Sequence, residues 1–400
     1  MIKHKAYKYR FYPNKEQADL IDRTIGCVRF IYNLMLNDKF EYYQSNKKTL
    51  KNTPAQYKKE YPFLKEVDSM ALCNAQINLE AAYNNYFKQH KAKKIKPLTS
   101  EKLTKLSKKT FKSSIVKFMV YHPIFPKFKS KKQSNLSYTT NNQKGTIRLE
   151  NNKIKLPKIG FVNLKLHRQI PEYCKLKSAT ITKTRTNKYY ISILVEYETQ
   201  VFEKKIEKVI GLDFSMKELF VSSDGNSANF PRFFREGQDQ LAKEQRKLSH
   251  RKYQSKRYEK QRLKVARLHE YVANQRKDFL HKESRKLADN YDLVCIEDLN
   301  MQAMSQSLNF GKSVSDNGWG FFTTILKYKL EDLGKQLVKI DKWFPSSKMC
   351  NKCGAVNESL KLSDRTWTCD CGAEHERDVN AAINIRTVGM TGIAQECLCQ

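Results

Sequence analysis

Two short apolar runs in this chain each end on an acid. Val209-Ile210-Gly211-Leu212 runs into Asp213, and Leu293-Val294-Cys295-Ile296 runs into Glu297. Apolar runs without polar alternation fit strands buried on both faces, which occur in parallel sheets covered by helices. Such sheets deliver side chains at their carboxyl ends to a common rim. An acid there is poorly placed for a core and well placed for a cation. A third acid, Asp378, opens the segment DVNAAINIRTVG, a helix that could pack on the same sheet. Three carboxylates at one point cannot all ionise cheaply without a counter-charge. Mg2+ or Mn2+, which prefer oxygen ligands, resolve the conflict. Two such ions held by carboxylates form the arrangement that hydrolyses phosphodiesters, one activating water and the other stabilising the leaving oxygen. Asp213, Glu297 and Asp378 are therefore the candidate catalytic and metal-binding residues, with two ions between them. Asp224, Asp292, Asp298 and Asp364 lie nearby in sequence and are read as caps, turns or supporting groups.

The charge says what such a site would act on. Lys and Arg number 75 against 41 Asp and Glu, a formal net charge of +34 over 400 residues. The excess runs through most of the chain, which points to a polyanion partner, nucleic acid rather than a membrane surface. It is densest at 241–290, with 16 Lys or Arg against 6 Asp or Glu and a partial apolar stripe (Leu241, Leu248, Leu263, Leu268, Val272, Phe279, Leu287). An antiparallel pair of basic helices fits, with Arg246, Lys247, Arg251, Lys256 and Arg257 as candidate nucleic-acid contacts. The segment MIKHKAYKYRF has no signal-peptide core, and no apolar run approaches the roughly 20 residues a membrane span needs. The expectation is a soluble cytoplasmic protein with no membrane partner.

Cys350, Cys353, Cys369 and Cys371 form C-x2-C-x15-C-x-C, with glycines Gly354 and Gly372 following each pair. Two cysteine pairs at this separation make a closed, structural Zn2+ site. The second pair is one residue tighter than usual, and His375 could replace one thiolate. Cys27, Cys73, Cys174 and Cys295 stand singly in apolar surroundings and read as small core residues. Cys397 and Cys399 read as part of an irregular tail.

Along the rest of the chain, residues 3–12 alternate as a half-buried strand, and a helix follows from Asn14 with Ala18, Ile21, Ile25, Val28, Ile31, Tyr32 and Leu36 on one face. A second helix covers about 68–89. Lys-rich stretches between and after these carry little periodicity. From about Tyr121 to 200, short alternating runs fit a small β-barrel or sandwich, which the first strand could join. The second half alternates strands and helices as an α/β sheet.

With these residues set out, the chain resembles TnpB, the transposon-encoded relatives of the type V CRISPR nucleases. The resemblance is carried by KAYKYRFYPNKEQADLIDRTIGCVRFIYN, FPKFKSKKQSNLSYTT, VIGLDFS, the basic segment from Gln245, LVCIEDLNM, and the cysteines followed by ERDVNAAINI. It implies a multidomain α/β protein. A RuvC-like (RNase H-like) nuclease domain would occupy 205–345 and 373–392, with a zinc ribbon inserted at 346–372 and a disordered tail at 393–400. A wedge β-barrel would be built from 1–12 and 122–200, interrupted by a helical recognition region at 13–121. The resemblance implies an RNA-guided DNA endonuclease in a prokaryotic, nucleoid-associated setting. It would cut double-stranded DNA beside a short adjacent motif, with guide RNA taken from the transposon end, and act as a monomer. Asp213, Glu297 and Asp378 carry over as the catalytic triad. Arg377 and Asn380 flank the third acid and would orient substrate or carboxylate; Glu376 stands where the family often has Asp. Candidate readers of the adjacent DNA are Cys73, Asn74, Gln76, Tyr138 and Thr139, since Asn and Gln can pair bidentately with adenine. Three other readings stay open: a cleavage-inactive guided repressor, a miniature type V CRISPR effector and a strand-transferring transposase.

Overall fold

The computed structural model describes residues 1–91, 113–132, 135–200, 202, 204–301, 303–304, 317–361 and 363–398, without the side chains of 90 and 393–398. The Lys-rich segment at 92–112, most of the expected loop at 305–318, and Cys399 lie outside these. The chain forms two compact units, Met1–Thr199 and Gln200–Gln400.

In the first unit, β1 (Ile2–Tyr12) alternates basic residues with inward Tyr9 and Phe11, and these two are buried. It lies inside a seven-stranded antiparallel sheet with β2 (Ser137–Asn141), β3 (Arg148–Glu150), β4 (Lys153–Leu156), β5 (Gly160–Lys165), β6 (Lys175–Lys183) and β7 (Tyr189–Glu198), in the order β2-β6-β7-β1-β5-β4-β3. β1 pairs with β7 from Ile2↔Glu198 to Phe11↔Tyr189 and with β5 at Arg10↔Lys165. The segment between β1 and β2 is thus an insertion into one sheet. It carries α1 (Lys15–Asn46), α2 (Ser69–Lys91) and α3 (Ser114–Tyr121). α1 begins at a capping box: the Asn14 side chain accepts from the Gln17 amide at 2.8 Å, and the Gln17 side chain accepts from the Asn14 amide at 3.0 Å. The α1 stripe of Ile21, Ile25, Val28, Ile31 and Leu36 is buried in one core with Leu72, Leu79, Ile191, Ile193 and Val195.

The second unit is built on β8 (Val209–Ser215), β9 (Leu219–Ser222), β10 (Leu293–Glu297) and β11 (Gln336–Ile340), in the order β11-β10-β8-β9. β10 runs parallel to both neighbours; β8 and β9 form an antiparallel hairpin. The other elements are α4 (Phe233–Ser249), α5 (Lys256–Asn290), α6 (Trp319–Asp332) and α7 (Arg377–Leu398). Period-two alternation splits the central strands between two cores. Ile210, Leu212, Val294 and Ile296 face α5 and α6 through Leu280, Leu287, Phe322 and Leu326. Leu293 and Cys295 face α7 through Ile385. α4 and α5 form the basic hairpin. Its one buried acid, Glu244, accepts from Gln261 at 2.7 Å and pairs with Lys247 and Lys264 at 3.1 Å, which holds its carboxyl down at about 2.

Two boundaries differ from expectation. α7 runs on through Leu398 rather than ending at 392, because the residues after Gly392 (Ile, Ala, Gln, Glu) are compatible with helix and include no proline. The cysteine-bearing segment also runs past 372, because β12 (Thr366–Thr368) pairs with β13 (Glu374–Glu376) as a hairpin. Of the four single cysteines, Cys27 and Cys295 are buried, while Cys73 and Cys174 are only half-buried. No helix among the described residues is long and apolar enough to cross a membrane.

α7 lies unusually close to β8. A Cβ at Gly211 would fall on the Ala382 carbonyl oxygen and within 2.7 Å of the Arg386 amide nitrogen. At Gly389 a Cβ would overlap the Cys295 sulfur. Two glycines, one on the sheet and one on the helix, therefore permit the contact. Gly211→Ala must push a helix backbone outward, and the expected loss is about 1–3 kcal/mol. A lowered urea midpoint at unchanged slope would report it; an unchanged midpoint would mean that α7 does not sit this close.

Candidate active site and metal centre

The parallel register sets two of the acids side by side. β8 and β10 pair as Val209↔Leu293, Gly211↔Cys295 and Leu212↔Ile296, so one further step places Asp213 beside Glu297. Adjacent strands lie about 4.8 Å apart. Both acids share the face of Gly211 and Cys295, the face that α7 covers. Asp378 lies in the first turn of α7, one helical turn before Ala382, which rests on Gly211. Two strand ends and one helix start thus converge.

The electrostatics agree with the convergence. Burial, then Glu297, then Asp378 push the Asp213 carboxyl well above the usual carboxylate range, against the opposing pull of Arg377. Burial also raises Glu297, while the Ser346 hydroxyl, which donates to its Oε1, pulls the other way. Asp378 is turned onto two guanidiniums, Arg377 Nη2 at 2.8 Å and Arg365 Nη1 at 3.2 Å. Asp213 thus feels both other acids, although the three carboxylates are not drawn into a tight cluster. The cysteines are the one group among the described residues whose ligand atoms all lie within 4.8 Å of each other. Mutually repelling carboxylates beside arginine, with oxygen donors only, fit a hard divalent cation as the missing counter-charge.

The neighbouring acids are all otherwise engaged. Buried Asp292, at the start of β10, pairs with Lys204 at 2.8 Å and accepts the Lys208 and Glu207 amides at 3.1 and 3.3 Å. Those contacts hold its carboxyl well below the usual range, Lys204 most of all. Asp224 accepts from Tyr291 at 2.7 Å, Asp298 pairs with Lys339 at 2.8 Å, and Asp364 caps a turn at the Lys361 amide at 2.9 Å.

The four cysteine sulfurs come from two knuckles. Cys350 Sγ lies 3.7 Å from Cys371 Sγ, and Cys353 Sγ lies 3.6 Å from Cys369 Sγ. A tetrahedral Zn2+ with about 2.3 Å bonds needs sulfurs about 3.8 Å apart. Gly354 and Gly372 turn the chain at φ of 80° and 83°, and their amides bond back to Cys350 and Cys369 at 2.9 and 2.8 Å. His375 is buried with Nε2 at 3.0 Å from Cys350 Sγ, behind a complete set of four thiols rather than replacing one. Burial would raise the Cys350 thiol, but amides of Cys353 and Lys352 and the His375 ring bring it down to about 5.

A chain of hydrogen bonds joins the two centres. Asn384 on α7 donates to the Ser346 and Met349 carbonyls at 2.8 and 2.7 Å. Asn380, one turn earlier, donates to Met349 O at 2.7 Å and accepts from the Asn351 amide at 3.1 Å. Ser346 in turn donates to Glu297. Asn380, expected to face nucleic acid or a carboxylate, is instead buried and occupied with the backbone leading into Cys350. Arg377 does meet its carboxylate, Asp378. Sequence reasoning missed Ser346, Asn384 and Arg365. The Asn380/Asn384 spacing of four was the one available signal, a polar stripe on an otherwise apolar helix.

Of the candidate DNA readers, Tyr138 is a core residue at 4% exposure, because its alternation in β2 turns it inward. Asn74 and Thr139 line a cleft of about 530 Å³ with Arg29, Asn78, Lys129 and Asn135. Asn74 Nδ2 donates to Thr139 O at 3.0 Å, and Thr139 Oγ1 meets Thr180 Oγ1 at 2.8 Å. Gln76 is not there; it bonds Glu80 at 2.8 Å and lines a separate aromatic cavity of about 860 Å³. Arg246, Lys247, Arg251, Lys256 and Arg257 are all exposed on the basic hairpin. Arg251 and Arg257 border a concavity of about 640 Å³ with Lys260, Lys264 and Arg267.

A "Putative RNA-guided DNA endonuclease" from Streptomyces pristinaespiralis is 33% identical over 398 residues, covering 98% of this chain and 90% of that protein. The chain belongs to the TnpB family. "Putative RNA-guided DNA endonuclease InsQ" of Escherichia coli K12 is 27% identical over 98% of the chain and 94% of its own length. Family profiles match at 192–308 ("Probable transposase"), spanning Asp213 and Glu297, and at 319–385 ("Cas12f1-like, TNB domain"), spanning the cysteines and Asp378. A third, "Helix-turn-helix domain", matches 1–48, where this TnpB-family chain has one strand and one long helix. The chain shares its fold with Cas12f1 in the cryo-EM structure of a Cas12f1–sgRNA–target DNA complex, at a TM-score of 0.50 and 14% identity over 96% of this chain and 99% of that one.

Asn384→Ala would leave the Ser346 carbonyl without its donor and the Met349 carbonyl with Asn380 alone, and should cost about 1–3 kcal/mol. Amide exchange at residues 346–351 should accelerate by more than at β8; uniform acceleration would deny Asn384 a local role.

Proposed function

We propose that this chain is an RNA-guided DNA endonuclease of an IS605-type transposon, cutting double-stranded DNA beside a short adjacent motif. The observation that carries the reading is the placement of Asp213 and Glu297 side by side on the face of β8 and β10 covered by α7, whose first turn supplies Asp378. The β8–β9 hairpin with parallel β10 and β11 fits an RNase H-like, RuvC-type nuclease core. On this reading 205–345 and 377–398 form the nuclease domain. Residues 346–376 form an inserted zinc ribbon, and 1–12 with 122–200 form the wedge around a helical recognition region at 13–121.

Two Mg2+ or Mn2+ ions would be held by Asp213, Glu297 and Asp378, and would supply the activated water and the stabilised leaving oxygen. The protein's own part is geometric and electrostatic. Among the described residues, neither Asp213 nor Glu297 is paired with a lysine or arginine, so both would be available to cations at the point where the strand ends are fixed. Ser346 fixes one oxygen of Glu297, and Arg377 with Arg365 fixes Asp378. Both guanidiniums could pass to substrate phosphates once cations satisfy the acid. One Zn2+ on Cys350, Cys353, Cys369 and Cys371 would be structural, since four thiolates close its shell.

Guide RNA from the transposon end and double-stranded target DNA are the proposed partners of a protein monomer. The exposed cations of the α4–α5 hairpin fit the backbone of a guide–target duplex, whose sequence is read by base pairing. Asn74 and Thr139, with Asn78 and Arg29 in the same cleft, fit the reading of adjacent DNA; Tyr138 underlies them.

Expression with the flanking transposon DNA should yield a discrete co-purified RNA reading out of its end. Programmed with it, the protein should cut matching DNA in Mg2+. Asp213→Ala should lower cleavage by about 100- to 1,000-fold or more while guided binding persists, the scale for losing one group that stabilises the reacting centre. Heterogeneous RNA only, or undiminished metal-dependent cutting by the variant, would overturn the reading. Metal analysis should find about one zinc per chain, lost in Cys350→Ser together with a lower melting temperature. Equal melting with and without zinc would remove the structural role.

A further inference from the structure

Residues 341–345, Asp-Lys-Trp-Phe-Pro, leave β11 at Ile340, which pairs with Glu297 across the ladder. They end at Ser346, whose hydroxyl donates to the same Glu297. Both ends of this short loop are therefore tied to one acid of the proposed site. Trp343 is three residues from each anchor, so its Cα lies within about 11 Å of the Cα atoms of Ile340 and Ser346. Its side chain is 81% exposed, whereas Trp319 and Trp367 are 3% and 8% exposed.

The loop is held rigidly enough to present that side chain. The Trp343 amide donates to the Asp341 carboxylate at 2.7 Å, the Phe344 amide to Asp341 O at 3.2 Å, and the Ser346 amide to Phe344 O at 2.8 Å. Phe344 turns the other way and packs on the Leu293, Cys295, Ile340 and Ile385 cluster. The chain packs Phe344 inward and leaves the larger neighbouring indole in water, on a loop whose two ends are tied to Glu297. The Lys342 ammonium lies 5.0 Å from the indole centroid.

We propose that Trp343 is a stacking platform for an unpaired base of the DNA strand being cut, with Lys342 meeting the adjoining phosphate. The proposal rests on the nuclease reading above. A single strand offers a base face and a phosphate at neighbouring points, and an indole beside a lysine matches both. Stacking is indifferent to base identity, as an enzyme programmed by its RNA requires. Trp343 acts as a substrate-positioning residue and takes no part in the chemistry.

Two measurements test it. With the RNA-loaded full chain, Ca2+ in place of Mg2+ and a short oligo-dT added, the acrylamide-accessible tryptophan fluorescence should become shielded or quenched. Only Trp343 is exposed enough to give that signal. No change at saturating oligonucleotide overturns the proposal. In guided cleavage, Trp343→Ala should slow cutting by about 5- to 150-fold, the range for one lost base stack, with guided target binding unchanged. Trp343→Phe should restore most of the rate. An alanine variant that cuts like the wild type overturns the stack, as does a phenylalanine variant as slow as alanine or a parallel loss of target binding. If the wild-type chain cuts no DNA, the nuclease reading fails, while the fluorescence measurement still decides whether Trp343 stacks on a base.

Discussion

The absence of a side chain at Gly211 is what allows this second unit to have a site. α7 comes so close to β8 that its Ala382 carbonyl occupies the space a Cβ would fill. Only at that separation can the first turn of the helix reach the ends of β8 and β10. The same contact fixes which way everything else faces. Gly211, Asp213, Cys295 and Glu297 share the face of the sheet that α7 covers, so a one-residue slip of either strand would send its acid to the α5–α6 core instead. Gly389 over Cys295 repeats the device further along the helix, and between them the two glycines set the helix axis.

The acids of the sheet show how placement decides role. Asp292 and Glu297 stand at opposite ends of the same strand. The first is met by lysine and two backbone amides, its carboxyl is driven down, and it ties the strand starts together. Asp213 and Glu297, at the other end, are half-buried with no lysine among the described residues paired to them and are driven up. A carboxylate already satisfied by the protein has little to offer a cation. One left without a cationic partner at a rim has more to offer. The same fold therefore contains both kinds, and the difference lies in which end of the strands faces the helix start.

Much of this could be read in the sequence where the physics is local. Apolar runs ending in acids, the basic hairpin and the cysteine spacing each rest on short-range periodicity or ligand chemistry. What could not be read came from contacts between distant segments. Ser346 carries no signal of its own; it matters because β11 delivers it to Glu297. Asn380 stood beside an acid in sequence and was read as facing it, yet helical geometry points it at the Met349 carbonyl. Tyr138 was read by its position in a motif, whereas strand alternation sends it to the core. The helical extension to Leu398 and the β12–β13 hairpin moved boundaries because ends of elements depend on pairing that composition does not show.

The cysteine segment links stability to the site. Its own core is small: Cys350, Trp367 and Cys369 are its buried members, with Leu360 and Ala373 packed against them. A core of that size cannot hold a segment of this length by apolar burial alone, and a structural metal is the usual remedy. The backbone just before Cys350 is gripped by Asn380 and Asn384, and Ser346 at its start holds Glu297. Order that a zinc ion would impose on the knuckles would thereby pass along a few hydrogen bonds to an acid that a different metal would use. The cysteine segment need not touch a substrate to matter on the proposed reading; it is tied to the far end of the loop that carries Trp343 and to the hydroxyl that donates to Glu297, and so would set the edge of the site against which a strand would lie.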